Sequence, residues 1–285
     1  MLSVAIRDEL AADLAQAERS REPIAPLTAA YPGIDVVDAY EIQLINIRQR
    51  VAEGARVLGH KVGLSSKAMQ QMMGVDEPDY GHLLDEMEVF EDTPVKAGRY
   101  LYPRVEVEVG FILAADLPGA DCTEDDVLAG TEALVPSIEL IDTRITDWKI
   151  ALCDTIADNA SSGLYVVGAS PKKLDGLELR LCGMVMDEGG DEVSVGAGAA
   201  CLGDPLSATL WLAKTMAKVG RPLKTGDTVM SGALGPMVAV KRGEVYEARI
   251  SGLGSVRACF CEGVRRQWRR YPARSSGRAT SGPIS

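Results

Sequence analysis

The sequence predicts an α+β fold, a mostly antiparallel sheet or β-roll with a helix-rich segment in front of it. Three observations carry this. Apolar residues in the first part of the chain recur at helical spacing, the pattern from about residue 98 has period two, and the last third reads as short strands separated by glycines.

Residues 4–19 form a helix, with Ser3 as N-cap and Leu10, Leu14 and Ala17 on one stripe. A stretch around Pro23, Pro26 and Pro32 follows. Val37, Tyr40, Leu44, Ile47 and Val51 then mark the apolar face of a second helix, and Gly54 and Gly59 bracket its end. VLGHKVGL (57–64) reads as a short strand or extended turn, and Ser65 caps a small helix, SKAMQQMM, that Gly74 closes. In RVEVEVGFI (104–112), Val105, Val107, Val109 and Phe111 share one face of a strand and Glu106 and Glu108 share the other. Thr123 caps a helix that runs to about Leu134, and VPSIELIDTRI (135–145) is a second strand. LRLCGMVMDE and DEVSVGAGAA flank a Gly-Gly hairpin turn. Asp204 as cap, Pro205 at N1 and Gly220 past the end define a helix from Leu206 to Val219. The expected organisation is a helix-rich region over 1–80 packed on a core over 81–261, then a basic, disordered tail over 262–285.

The chain has 285 residues, 46% hydrophobic and 25% charged, which excludes a disordered body. No apolar run approaches the ~18 residues of a membrane span, and the N-terminus carries acids where a signal peptide is apolar. A cytoplasmic location is expected. The formal net charge of −11 argues against nucleic acid and anionic membranes as partners. The tail concentrates six arginines against one acid, Glu262, so the body is more acidic still. Six scattered cysteines without a C-x-x-C pair read as free, mostly buried thiols.

Glu106 and Glu108 stand ~7 Å apart on one strand face, where like charges repel unless a cation or solvent separates them. A solvated sheet face is the plain alternative. Glu139, inside the apolar PSIELI, weighs against it, because a lone buried carboxylate is costly. Three converging carboxylates suit a hard cation such as Mg²⁺ or Mn²⁺. In GHKVG (59–63), Lys61 between glycines suits a ligand carboxylate or proton transfer, or is a snorkelling surface lysine. Asp79, in EPDYGHLLD (77–85), is a candidate acid–base group, although Pro78 and Gly81 also make a good turn. Ser161 and Ser162, in DTIADNASSGLYVVG (154–168), suit a carboxylate. MSGALG (230–235), which contains Ser231, and GLGSV (252–256) read as tight turns more readily than as anion cradles. His60 and His82 lie in no convincing base setting.

In order, GHKVGLSSKAMQQMMGVDEPDYGHLLD, YPRVEVEVGFIL, VPSIELIDTRITDWK, DTIADNASSGLYVVG, LKTGDTVMSGAL and GLGSV resemble the hydratase/decarboxylase family of the fumarylacetoacetate hydrolase superfamily, over about residues 3–260. The resemblance implies a mixed β-roll core, a divalent metal (Mg²⁺ or Mn²⁺) on Glu106, Glu108 and Glu139, and homo-oligomers built on pentameric rings. Lys61 and Asp79 match substrate-binding or acid–base positions, and Ser161 and Ser231 match substrate-binding ones. The implied activity is hydration of 2-hydroxypenta-2,4-dienoate to 4-hydroxy-2-oxopentanoate in meta-cleavage of aromatic or steroid rings. A complex with a pathway decarboxylase or aldolase is a further implied partner. The rival within the family is 4-oxalocrotonate decarboxylase. C–C bond hydrolysis is disfavoured for want of a base, and a non-catalytic scaffold has no need of such costly groups. The basic tail departs from the family's pattern.

Overall fold

The computed structural model describes residues 1–91 and 93–260. Its spine is β3 (Arg104–Leu113), the strand whose alternation is plainest in the sequence. β3 pairs antiparallel with β4 (Thr131–Ile141), placing Glu106 opposite Glu139, and β4 pairs antiparallel with β5 (Ser162–Val167). On its other side β3 meets β8 (Thr228–Ala233), which runs parallel to β1 (Val57–Gly63). β1 pairs antiparallel with β2 (Asp79–Leu84), and β9 (Val238–Ala239) adds to β3, completing a seven-stranded mixed sheet. An antiparallel four-stranded sheet is built from β6 (Gly183–Glu188), β7 (Asp191–Ala197), β10 (Val245–Ile250) and β11 (Gly254–Cys259). The β6–β7 hairpin turns on Gly189 and Gly190, both at positive φ, as a two-residue primed turn requires.

The main core lies between the two sheets. Val105, Val107, Val109 and Phe111 of β3 meet Met184, Met186, Tyr246, Ala248, Val256 and Ala258 of the smaller sheet. α7 (Pro205–Lys218) closes it with Ala208, Leu212 and Met216; Asp204 accepts from Leu206 N, and Pro205 occupies the first turn. A second core joins α1 (Val4–Ser20), α2 (Leu27–Ala30), α3 (Val36–Ala52) and α6 (Leu152–Ala157) through Leu10, Leu14, Leu27, Ala39, Ile42 and Ile156. No described helix is long and apolar enough to cross a membrane.

Several local expectations shift. The buried face of α3 is centred on Ala39, Ile42, Gln43 and Ile47, and Val37 and Val51 are exposed. Asp38 is buried because its carboxylate holds Arg7 and accepts from Leu2 N, which turns the helix away from the purely apolar stripe. The small helix α4 (Lys67–Met73) is capped by Ser66, not Ser65; the Ser65 carbonyl instead accepts from Leu202 N. α5 (Glu124–Gly130) stops before the expected Leu134, because residues 131–134 pair with the end of β3. The second strand therefore spans Thr131–Ile141 in place of 135–145. Around Asp79 the chain is strand, not turn: Asp79 begins β2, opposite Gly63. The sheet thus draws β1 and the start of β2 from residues before 81. Cys122, Cys153, Cys182 and Cys201 are free thiols, and all but Cys153 are buried. The basic segment 262–285 lies outside the described residues.

Candidate active site

Side chains alternate across β3, so the face opposite the core carries Glu106 and Glu108. The antiparallel register brings Glu139 beside them, and one carboxylate oxygen from each lies within 4.8 Å of the others. Glu108 and Glu139 are fully buried and Glu106 partly so, which rules out the solvated-face alternative. Across β8, β1 points Lys61 at the same place. It is 2% exposed, and its Nζ is 3.5 Å from Glu139 Oε2, which rules out a snorkelling surface lysine.

Asp79 joins from β2. A side chain at Gly63 would collide with Asp79 Oδ1, so glycine there makes the room that the carboxylate occupies beside Lys61. Thr155 Oγ1 of α6 donates to Asp79 Oδ2 at 3.5 Å and is 3.3 Å from Ser161 Oγ. Ser231 is buried in β8, and its Oγ has no hydrogen-bond partner among the described residues. The backbone beside it does reach the cluster. Ser231 and Gly232 together oppose Val109 in a β-bulge, and this turns the Gly232 N–H onto Glu108 Oε2 at 2.7 Å. Gly232 has φ +111°, and a side chain there would strike Ser65.

Four carboxylates therefore surround one ammonium. Burial works against the Lys61 charge, but Glu139, Asp79, Glu106 and Glu108 outweigh it and raise its pKa. Burial, with Glu139 adding to it and Lys61 opposing, pushes Asp79 up to about 6. Burial and the neighbouring Glu139 raise Glu106 to about 7, and burial with Glu139 and Glu106 raises Glu108 well above the carboxylate range. Asp79 Oδ1, Glu108 Oε1 and Glu139 Oε2 accept no hydrogen bond, although buried oxygens normally do. Glu106, Glu108 and Glu139 each bring one carboxylate oxygen to a shared space, and Glu108 Oε1 and Glu139 Oε2 accept no hydrogen bond, a set that fits a hard divalent cation.

The sequence reading missed Thr155 and the Gly232 amide as partners of this cluster; it expected Ser161 and Ser162 to hold a carboxylate, and for Ser162 that carboxylate is Glu139. Ser162 Oγ donates to Glu139 Oε1 at 2.9 Å. Thr155 and Ser162 sit in the polar motif 154–168 that the sequence does flag; the Gly232 amide is legible only from the bulge. His60 and His82 lie on the opposite face of β1 and β2, buried and kept neutral by that burial, with His82 pushed down to about 4.

A two-sheet roll with a buried triad of glutamates beside a lysine defines the class, and comparison with known proteins agrees. The chain belongs to the fumarylacetoacetate hydrolase family: the family described as Fumarylacetoacetate (FAA) hydrolase C-terminal matches residues 75–261. It is 49% identical, over 89% of its length and 94% of the relative's, to a 2-keto-4-pentenoate hydratase of Paraburkholderia xenovorans (strain LB400). Among solved structures it is similar to the 4-oxalocrotonate decarboxylase of Pseudomonas putida G7 complexed with magnesium and adipate, at TM-score 0.87 and 35% identity over 91% of this chain and 99% of that one. The same enzyme complexed with calcium and acetate matches at TM-score 0.86 and 34% identity, with the same coverage.

Proposed function

We propose that this protein hydrates 2-hydroxypenta-2,4-dienoate to 4-hydroxy-2-oxopentanoate in the meta-cleavage breakdown of aromatic rings, and that steroid rings are a further source of the substrate. The observation that carries the reading is the 49% identity to a 2-keto-4-pentenoate hydratase across nearly the whole chain. The intact buried cluster supports it. Glu106, Glu108 and Glu139 are the proposed holders of a divalent cation, Mg²⁺ or Mn²⁺ by the hardness of the donors. Such a cation supplies Lewis-acid polarisation of a substrate oxygen.

The rest is the work of the chain's own groups. The Lys61 ammonium, kept charged by its anionic neighbours, binds the substrate carboxylate or its 2-oxygen. Asp79, with a pKa near 6 and Oδ1 unpaired, takes and returns protons near neutral pH. Protonation at C5 converts the dienol to the conjugated 2-oxo-3-enoate, water adds at C4, and a proton is delivered to C3. The Thr155 hydroxyl holds Asp79, and the Ser161 hydroxyl, 3.3 Å from that of Thr155, lines the approach to it. Ser231 is retained as a proposed substrate contact, and a homo-oligomer built on pentameric rings as the proposed assembly.

The related decarboxylase is the second reading, favoured by the TM-score of 0.87. Separate incubations with 2-hydroxypenta-2,4-dienoate and 4-oxalocrotonate distinguish the two. The hydratase reading expects 4-hydroxy-2-oxopentanoate from the first and little CO₂ from the second. Rapid CO₂ release from 4-oxalocrotonate without hydration of the dienoate would move the assignment to the decarboxylase.

A further inference from the structure

The two fully buried glutamates of the cluster are each tethered by a hydrogen bond through one oxygen only; the other oxygen of Glu139 meets the Lys61 ammonium at 3.5 Å. Glu108 Oε2 accepts from the Gly232 N–H and Glu139 Oε1 accepts from Ser162 Oγ, while Glu108 Oε1 and Glu139 Oε2 have no hydrogen-bond partner. A donor on one oxygen sets the plane of a carboxylate, and so the direction in which the other oxygen faces. For Glu108 that donor is backbone, fixed by the bulge. For Glu139 it is a side chain, which needs support of its own.

The turn before β5 gives that support. Asn159, Ala160 and Ser161 have φ of 53°, 51° and 56°, three consecutive non-glycine residues in the left-handed region. Such a run persists only where its surroundings impose it. Asn159 grips β2 on both sides, donating from Nδ2 to the His82 carbonyl at 2.9 Å and accepting from His82 N at 2.8 Å. Asp142 N donates to the Ser161 carbonyl at 2.8 Å. Arg144 donates to the Asp158 carbonyl at 2.7 Å and to the Ser162 carbonyl at 3.2 Å. The turn is held from β2, from the end of β4 and from the Arg144 guanidinium, and Ser162 leaves it with its hydroxyl on Glu139.

We propose that Ser162 is a positioning residue for the cation site: its hydroxyl fixes Glu139 Oε1 so that Oε2 faces the space shared with Glu106 and Glu108. This rests on the reading that these three glutamates hold the cation. Ser162 acts through Glu139 and touches neither the cation nor the substrate.

The test is calorimetric titration of Mg²⁺ alone into metal-stripped, full-length protein, for the wild type and for Ser162→Ala, Ser161→Ala and Glu139→Gln. Ser162→Ala weakens Mg²⁺ affinity about tenfold or more with circular dichroism unchanged. Ser161→Ala, which alters the same turn but a hydroxyl that does not reach Glu139, leaves the affinity near wild type. Should the alanine variant not fold, Ser162→Cys keeps the volume with a weak donor and carries the same expectation. Wild-type affinity in a folded Ser162 variant, beside a Glu139→Gln variant that has lost Mg²⁺, overturns the inference alone. Equal losses at Ser161 and Ser162 also overturn it, because the effect then belongs to the turn as a whole. Mg²⁺ binding retained by Glu139→Gln overturns the underlying reading instead.

Discussion

Arg144 with Asp158 and Lys61 with its four carboxylates are both buried ionic clusters, and the turn at 158–162 connects them. They are built in opposite ways. Asp158 takes Arg144 Nε on one oxygen, and Arg144 N and the Thr143 hydroxyl on the other, while the remaining guanidinium donors reach the Asp158 and Ser162 carbonyls. Every charge there has its partner. Around Lys61 a single ammonium faces Asp79, Glu106, Glu108 and Glu139; it pairs with Glu139 Oε2 at 3.5 Å, and three buried carboxylate oxygens accept no hydrogen bond. A closed pair of charges braces a fold. An open, over-anionic one stores a demand that a cation and a substrate can meet, at a cost in stability while it is unmet.

The largest expected effect breaks the closed cluster. Arg144→Met strands the buried Asp158 charge and should destabilise the protein by ~3–5 kcal/mol in urea unfolding. In the open cluster the same kind of cut should spare the fold. Glu139→Gln removes a repelling charge, so unfolding stability in the absence of metal should hold or rise, while Mg²⁺ affinity falls about a hundredfold by calorimetry. Lys61→Ala should raise KM and lower kcat together, a loss of ~2–3 kcal/mol in kcat/KM, if the ammonium contacts substrate throughout the reaction as proposed. Lys61→Met, which keeps the stem, should do no better.

The smallest effect is on pH dependence without metal. Glu106 titrates near 7 in the folded protein and near 4.5 in the unfolded chain, so the native state holds the extra proton between those values. Its contribution is therefore lost as pH rises from about 4.5 to about 7. In metal-free protein, Glu106→Gln should flatten the decline of melting temperature over that window relative to wild type. An identical slope in the two proteins would place the Glu106 titration elsewhere.

The sequence revealed those parts of this arrangement that are periodic or costly. Alternation in β3 put Glu106 and Glu108 on one face, and the apolar setting of Glu139 marked it as a carboxylate needing a reason to be there. α7 was legible because its cap, its proline and its terminal glycine agree. What stayed hidden depends on pairing across the sheet. Pro78 and Gly81 have the local chemistry of a turn, yet pairing with β1 makes Asp79 the start of a strand. The end of α5 is set by the register of β4 on β3, which outweighs the helical preference of residues 131–134. The donors on Glu108 and Glu139 arise from a bulge in β8 and a left-handed turn before β5, and neither has a signature in residue spacing. Ser231 shows the same limit: its position in the chain marks it, but the observed contribution of its segment is the neighbouring backbone amide.

The central claim is that the open cluster exists to hold a divalent cation for hydration of a 2-hydroxydienoate. Turnover of 2-hydroxypenta-2,4-dienoate by EDTA-stripped protein tests it most directly. The account predicts that turnover is lost, that Mg²⁺ restores it, and that 4-hydroxy-2-oxopentanoate forms without CO₂. Full turnover by the metal-free protein would contradict it.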